Sequence, residues 1–315
     1  MSLSRYIVKR ILVSIPVLIG VTMVSFGLVQ LIPGDPIEFI LQFTNVSPEA
    51  EQRLYAKYNL NEPIWKQYLL WLQDVLVLDF GESIISGRDV AYEISTRLDH
   101  TIALGLFSWL IGLGVGIPTG IIAAVKRGTI TDEVSRIAAL LGIATPNFWL
   151  GLMLILVLSV NLGLFRAIPP DAPLWSAEKL KFLILPSVTI GTASASLIMR
   201  LVRSSMLQEL NKEYVRMARA KGLSERTVIF KHVLRNSMIA VVTVAAIQIA
   251  FIINGSVVIE QVFSWPGLGR LLVRSISQRD FPIIQAGVLM TGVAIVIANL
   301  LADIVYSWLD PRIRY

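Results

Sequence analysis

The sequence predicts an all-α membrane protein: six transmembrane helices with a small helical extracytoplasmic subdomain. Three observations carry that fold class. The first is composition. Of 315 residues, 55% are hydrophobic and only 16% charged, with a mean hydropathy of +0.68; a soluble domain is about 25% charged. That is too much apolar surface for one buried core, and a bilayer is the solvent it fits. The second is spacing. Six apolar runs, at about residues 9–32, 97–125, 134–160, 182–206, 237–259 and 282–309, each approach or exceed the roughly 20 residues a helix needs to cross a bilayer. The third is charge placement. Between Gly34 and Asp99 eleven acids face five bases, a net −6, which leaves +12 on the rest of a chain whose total is +6.

The first run opens with Arg5, Lys9 and Arg10. It is longer than the apolar part of a signal peptide, and the LIPGDP that follows offers no small-residue cleavage site, so it reads as a retained span. The acidic stretch contains PEAEQRLYAKYNL and PIWKQYLLWLQDVLVL, each beginning at a proline. Trp65, Tyr68, Leu69, Leu72 and Leu76 follow a three-to-four spacing, which predicts two or three short amphipathic helices packed on the outer face. Helices lying in the lipid interface are the alternative. In the second run Gly112, Gly116 and Gly120 recur every four residues, a spacing that lets helices approach closely. Pro16, Pro118, Pro146 and Pro186 fall inside apolar runs, where neighbouring groups re-satisfy the freed carbonyls. The resulting organisation is an N-terminus and first span at 1–33, an outer subdomain at 34–96, and a five-helix core at 97–315 with a cytoplasmic loop at about 207–236.

Six spans put both termini on one side. Lys and Arg favour the cytoplasmic face, and placing the termini there gathers Lys126, Arg127, Arg136, Arg312 and Arg314 on the same face. With them goes EYVRMARAKGLSERTVIFKHVLRNSM, where Arg216, Arg219, Lys221, Arg226, Lys231 and Arg235 meet only Glu213 and Glu225. Gly222 suits the left-handed end of a helix, and Ser224 suits the start of another. The stretch therefore reads as helix, glycine turn, helix along the cytoplasmic face. It is either a basic loop at anionic lipid or a protein-docking element. With few aromatic residues for base stacking, it is not a nucleic-acid site.

Several chemistries are excluded. There is no cysteine, and the two histidines, His100 and His232, lie far apart, so a metal centre has no ligand set. No G-x-x-x-x-G-K-[ST] loop is present to cradle phosphates. Ser256 has no histidine near it to make a serine nucleophile. Polar groups on the fourth and fifth runs, Thr189, Thr192, Ser194, Ser196, Gln248, Asn254 and Ser256, either line a substrate path or hydrogen-bond between helices. Arg200 and Arg203 read as inner-surface anchors, and Asp303 as a structural acid. An ATP-independent channel or secondary transporter is the other class, but such proteins usually show internal repeats or ion-binding acids on broken helices.

EYVRMARAKGL followed by VIFKHVLRNSMIAVVT resembles the cytoplasmic loop of ABC-importer permeases of the dipeptide, oligopeptide and nickel class. YIVKRILVSIPVLIGVTMVSF, LIPGDP, DFGES, PNFW, LILPSVTIG, VFSWPGLGRLL, RDFPIIQ and LDPRIR extend the resemblance over nearly the whole chain. The short N-terminus and long outer segment resemble the first, B-type, permease subunit. The resemblance implies that Tyr214, Arg216, Ala218, Arg219, Ala220, Lys221, Gly222 and Leu223 form the element that couples to an ATPase. It also implies a homologous second permease, two ATPase subunits carrying ATP and Mg, and an external substrate-binding protein, with no cofactor on this chain. Peptides are the implied cargo; nickel chelates, glutathione and oligosaccharides are carried in the same class. Two departures stand out: the wider family's Glu-Ala-Ala is Arg216-Met217-Ala218 here, and its Ile-Pro-Val is Ile239-Ala240-Val241.

Overall fold

The computed structural model describes residues 3–31, 48–57 and 59–309, and at some helical positions, Asn254 among them, the backbone alone. The LIPGDP motif beyond Leu31 and the LDPRIR run beyond Leu309 lie outside these residues. The described chain is helical, in eleven main helices: α1 Leu3–Leu31, α2 Pro48–Lys57, α3 Ile64–Leu76, α4 Val90–Val125, α5 Ile130–Ala144, α6 Asn147–Leu154, α7 Ala177–Leu210, α8 Glu213–Ala220, α9 Leu234–Val262, α10 Leu268–Gln278 and α11 Phe281–Leu309. An apolar solvent explains the choice, because a helix satisfies its backbone groups internally. Among the described residues five helical stretches are long and apolar enough to cross a membrane.

The sixth crossing corrects the sequence reading. Residues 134–160 do not form one straight span: α5 and α6 meet at 104°. Thr145 and Pro146 are both extended, at ψ 124° and 130°, as expected where a proline pushes the residue before it out of the helical region. Pro16, Pro118 and Pro186, by contrast, sit inside continuous helices. After α6 the chain widens into a π-helical stretch, Ile155–Asn161.

The chain forms two compact units. The first is built mainly from Thr101–Trp265. Its axis is α7, against which α5, α6 and α9 pack. The glycines explain how α4 reaches α7. A Cβ on Gly116 would lie 2.6 Å from the Ala195 carbonyl oxygen, and one on Gly120 would lie 2.7 Å from Val202 Cβ. Gly112 faces Ser194, and from the other side Gly191 faces Ile111. The four-residue glycine spacing is thus a packing seam. At the other end of this unit Trp265, fully buried, stacks on Phe182 with ring centroids 5.9 Å apart.

The second unit comprises Lys9–His100 and Pro266–Val296. Val90, Ile94, Leu268, Leu271, Ile283 and Ala286 form its core. DFGES and RDFPIIQ meet here: Ser83 donates to Asp280 at 2.5 Å, and the Ile84 amide donates to the same carboxylate at 3.2 Å. The two proline-led segments are the helices α2 and α3. The expected apolar stripe of α3 is not buried, however. Trp65, Leu69 and Leu76 are 66%, 47% and 76% exposed; Tyr68 and Trp71 make the contacts instead.

The seam generates a paired prediction. Gly116→Val destabilises the purified chain by about 1–3 kcal/mol, the usual cost of overpacking, and lowers its thermal midpoint in detergent. Gly114→Val, two residues away where a Cβ meets nothing within 4 Å, leaves the midpoint near that of the parent.

Candidate functional site

α7 ends at Leu210, and after Asn211 and Lys212 the chain enters α8. Glu213 in the first turn and Arg219 in the last complement the helix dipole. Val215 and Ala218, three residues apart and so on one face, are buried against Ile198, Val202 and Met206 of α7 and against Val228, Val233 and Val241. The Tyr214 hydroxyl donates to Glu209 Oε2 at 2.7 Å and accepts from Asn236 Nδ2 at 3.1 Å, bracing α8 against both flanking helices. Burial pushes this phenol above its ordinary pKa, so it stays a neutral donor.

The end of α8 is closed by two capping bonds. The Gly222 amide donates to the Arg219 carbonyl at 2.9 Å, and the Leu223 amide to the Ala218 carbonyl at 3.3 Å. Gly222 sits at φ +77°, the left-handed position this Schellman arrangement requires. Ser224 then caps the turn Glu225–Thr227, accepting from the Thr227 amide. Arg219 spans the corner with a two-point ion pair to Glu225, at 3.1 and 2.6 Å. Donating to the Glu225 carboxylate raises the Arg219 pKa still further. The second helix is not a separate element. It runs through a π-helical stretch, Val228–Val233, directly into α9.

The expected coupling residues therefore divide. Arg216, Ala220, Lys221, Gly222 and Leu223 are exposed. Ala218 is 8% exposed and points into the core, so it holds α8 down and presents no surface. Tyr214 is half-buried, and Arg219, though exposed, is committed to Glu225. Met217, on the outer side, joins the exposed group.

The expected path residues are mostly engaged in bonds within the bundle. Ser194 of α7 donates to Gln248 of α9 at 3.0 Å. Thr189, Thr192 and Ser196 donate to carbonyls four residues back on their own helix. Ser256 donates to Glu260 Oε1 at 3.0 Å. The Asn254 side chain lies outside the described ones. Sequence reasoning missed Glu260. This carboxylate is 0% exposed on α9, and Thr101 also donates to it, at 2.7 Å. An acid in an apolar run was the available signal.

Arg203 is also corrected. It is not a surface anchor: its Nε and Nη2 reach the two oxygens of Asp132 at 2.7 and 2.8 Å, and the Gly128 amide adds a third bond at 3.0 Å. Asp132 is 2% exposed. The fork ties the start of α5 to the end of α7, one turn before Met206 and the contacts of α8.

Comparison with known proteins identifies this architecture. Residues 116–315 match the family of binding-protein-dependent transport system inner membrane components, and residues 3–105 match the N-terminal part of such membrane components. The chain is 41% identical over 319 residues to the oligopeptide transport system permease protein AppB of Bacillus subtilis strain 168, covering 99% of this chain and 100% of that protein. It is 38% identical to the dipeptide transport system permease protein DppB of Escherichia coli K12, covering 99% of each. It is 41% identical to the glutathione transport system permease protein GsiC of Salmonella choleraesuis, again covering 99% of each. The inward-facing methionine ABC transporter MetNI shares the fold, with a TM-score of 0.55 at 16% identity over 70% of this chain and 97% of that one.

The chain belongs to the binding-protein-dependent transport system inner membrane components. It is a multi-pass permease subunit of an ABC importer, a non-catalytic part that relies on ATPase and binding-protein partners.

Two substitutions test the local geometry. Asp132→Ala removes three charge-assisted hydrogen bonds and costs about 1–3 kcal/mol, less than breaking a fully buried pair because the Arg203 side chain is 21% exposed; the loss is read as a fall in the thermal midpoint. Gly222→Val forces a β-branched residue left-handed at about 1–2 kcal/mol. It speeds amide hydrogen exchange over 213–223 while leaving α7 protected.

Proposed function

We propose that this chain forms half of the translocation pathway for short peptides, and that α8 with its Gly222 turn is where an ATPase subunit docks from the cytoplasm. One observation carries the docking reading. A short helix, welded by Val215 and Ala218 to the cores of α7 and α9, leaves Arg216, Met217, Ala220, Lys221 and Leu223 exposed. A displacement applied to that surface passes to α7 and α9, because no slack segment intervenes. In this reading both termini are cytoplasmic, a homologous permease completes the pathway, two ATPase subunits dock inside, and the binding protein delivers cargo outside. Closure of the ATPases inverts access through their different affinities for the two states. Relatives named for oligopeptide, dipeptide and glutathione transport support a peptide cargo.

The bundle supports a route with few strong side-chain contacts. The polar groups of α7 and α9 with described side chains are largely bonded to one another or to their own helices, which suits a path that tolerates varied sequences. Thr192, Ser194, Ser196, Gln248, Asn254 and Ser256 remain the candidate path residues.

The test is substitution within the exposed group. Lys221→Glu leaves the chain in the membrane at parental level but abolishes peptide uptake by the assembled importer. Lys221→Cys cross-links to an ATPase subunit through a short thiol reagent. Parental uptake by Lys221→Glu, or the absence of any ATPase from a gentle detergent purification, defeats the docking reading.

A further inference from the structure

The exposed stripe of α3 has a geometry that names its surroundings. On one side α3 packs against the spanning helix α1. The Thr22 hydroxyl donates to the Ile19 carbonyl and accepts from the Tyr68 hydroxyl at 2.8 Å. Phe26 lies 5.5 Å from the Tyr68 ring and 5.7 Å from that of Trp71. These α1 residues are not at the end of the span. At 1.5 Å per residue, Phe26 is about 8 Å and Thr22 about 14 Å before Leu31. α3 therefore lies beside the last turns of an apolar span, not above it.

Around α3, about 100° per residue separates three faces. Gln67, Tyr68 and Trp71 meet α1. Lys66 and Gln73 lie on one flank of the helix, with Lys66 paired to Glu62 at 2.7 Å, and the exposed Asp74 lies about 180° from Trp65, on the opposite side. Trp65, Leu69 and Leu76 form the third, apolar and exposed. Near the same depth α1 exposes Met23, Val24 and Leu28, so α3 packs at a level where the spanning helix itself presents apolar side chains to its surroundings. Tryptophan in particular prefers the level of the lipid headgroups.

We infer that α3 is an interfacial helix, with its Trp65–Leu69–Leu76 face in the acyl-chain boundary of the bilayer and Asp74, on the opposite side, in water. This surface binds lipid, and neither the binding protein nor the second permease covers it. The inference is independent of the docking assigned to α8 and of which leaflet is involved.

The chain has no cysteine, so Leu69→Cys or Asp74→Cys carries one environment-sensitive fluorophore. Each full-length variant is reconstituted in lipid nanodiscs, alone and then within the assembled importer. Quenching is measured with a nitroxide placed near the head of a lipid acyl chain and with aqueous iodide. The expected result is strong nitroxide and weak iodide quenching at 69, reversed at 74, in both preparations. Iodide quenching at 69 equal to that at 74 overturns the inference, because the stripe then faces water. Protection of 69 from both quenchers also overturns it, because protein then covers the stripe. Trp65→Cys, on the same face, must repeat the pattern of 69; if it follows 74 instead, the stripe is not a single lipid-facing surface.

Discussion

Close approach of backbones along α7 is the contact on which the first unit depends. Lipid is as apolar as leucine, so burying side chains gives little drive for helices to associate in a bilayer, and packing must come from van der Waals contact at short range. Gly112, Gly116 and Gly120 bring α4 in, Gly142 brings in α5 against Ser196, and Gly151 brings α6 to Thr189 and Phe263. With α7 surrounded in this way, its Leu210 end is a fixed platform. The cluster around Ile198, Val202 and Met206 can then hold α8, and the Asp132–Arg203 fork can hold α5.

Much of this was legible in the sequence because it is written in local spacing. The glycine repeat of α4, the Gly222 turn and the Ser224 cap each depend on a few neighbouring residues, and each has the role its chemistry suggested. The bend at Pro146 was not legible. Pro118 and Pro186 stand in equally apolar runs and stay helical. Whether a proline is absorbed or breaks its helix depends on what packs around it, which a single run does not encode.

The site was half legible for the same reason. Motif and charge located the basic loop, but the face of α8 that turns inward is chosen by α7 and α9, far off in sequence, so Ala218 was placed on the wrong side. Asp132 and Arg203 are 71 residues apart, and nothing in either neighbourhood announces the other. The stripe on α3 carried a different ambiguity. Apolar residues at helical spacing mark a face that avoids water, and they do not say whether protein or lipid replaces it.

The closed turn after α8 has a consequence for binding entropy. A surface loop normally surrenders backbone freedom when it is grasped, at about 1–2 kcal/mol for each residue fixed. Here the capping bonds at Gly222 and Leu223, the Arg219–Glu225 fork and the Tyr214 brace have already ordered the segment in the chain by itself. Contact with this stub would therefore be spared the backbone-ordering part of the cost of association, though not the translational, rotational and desolvation parts. The same order makes the stub rigid before anything touches it, so its shape does not have to be created by a contact.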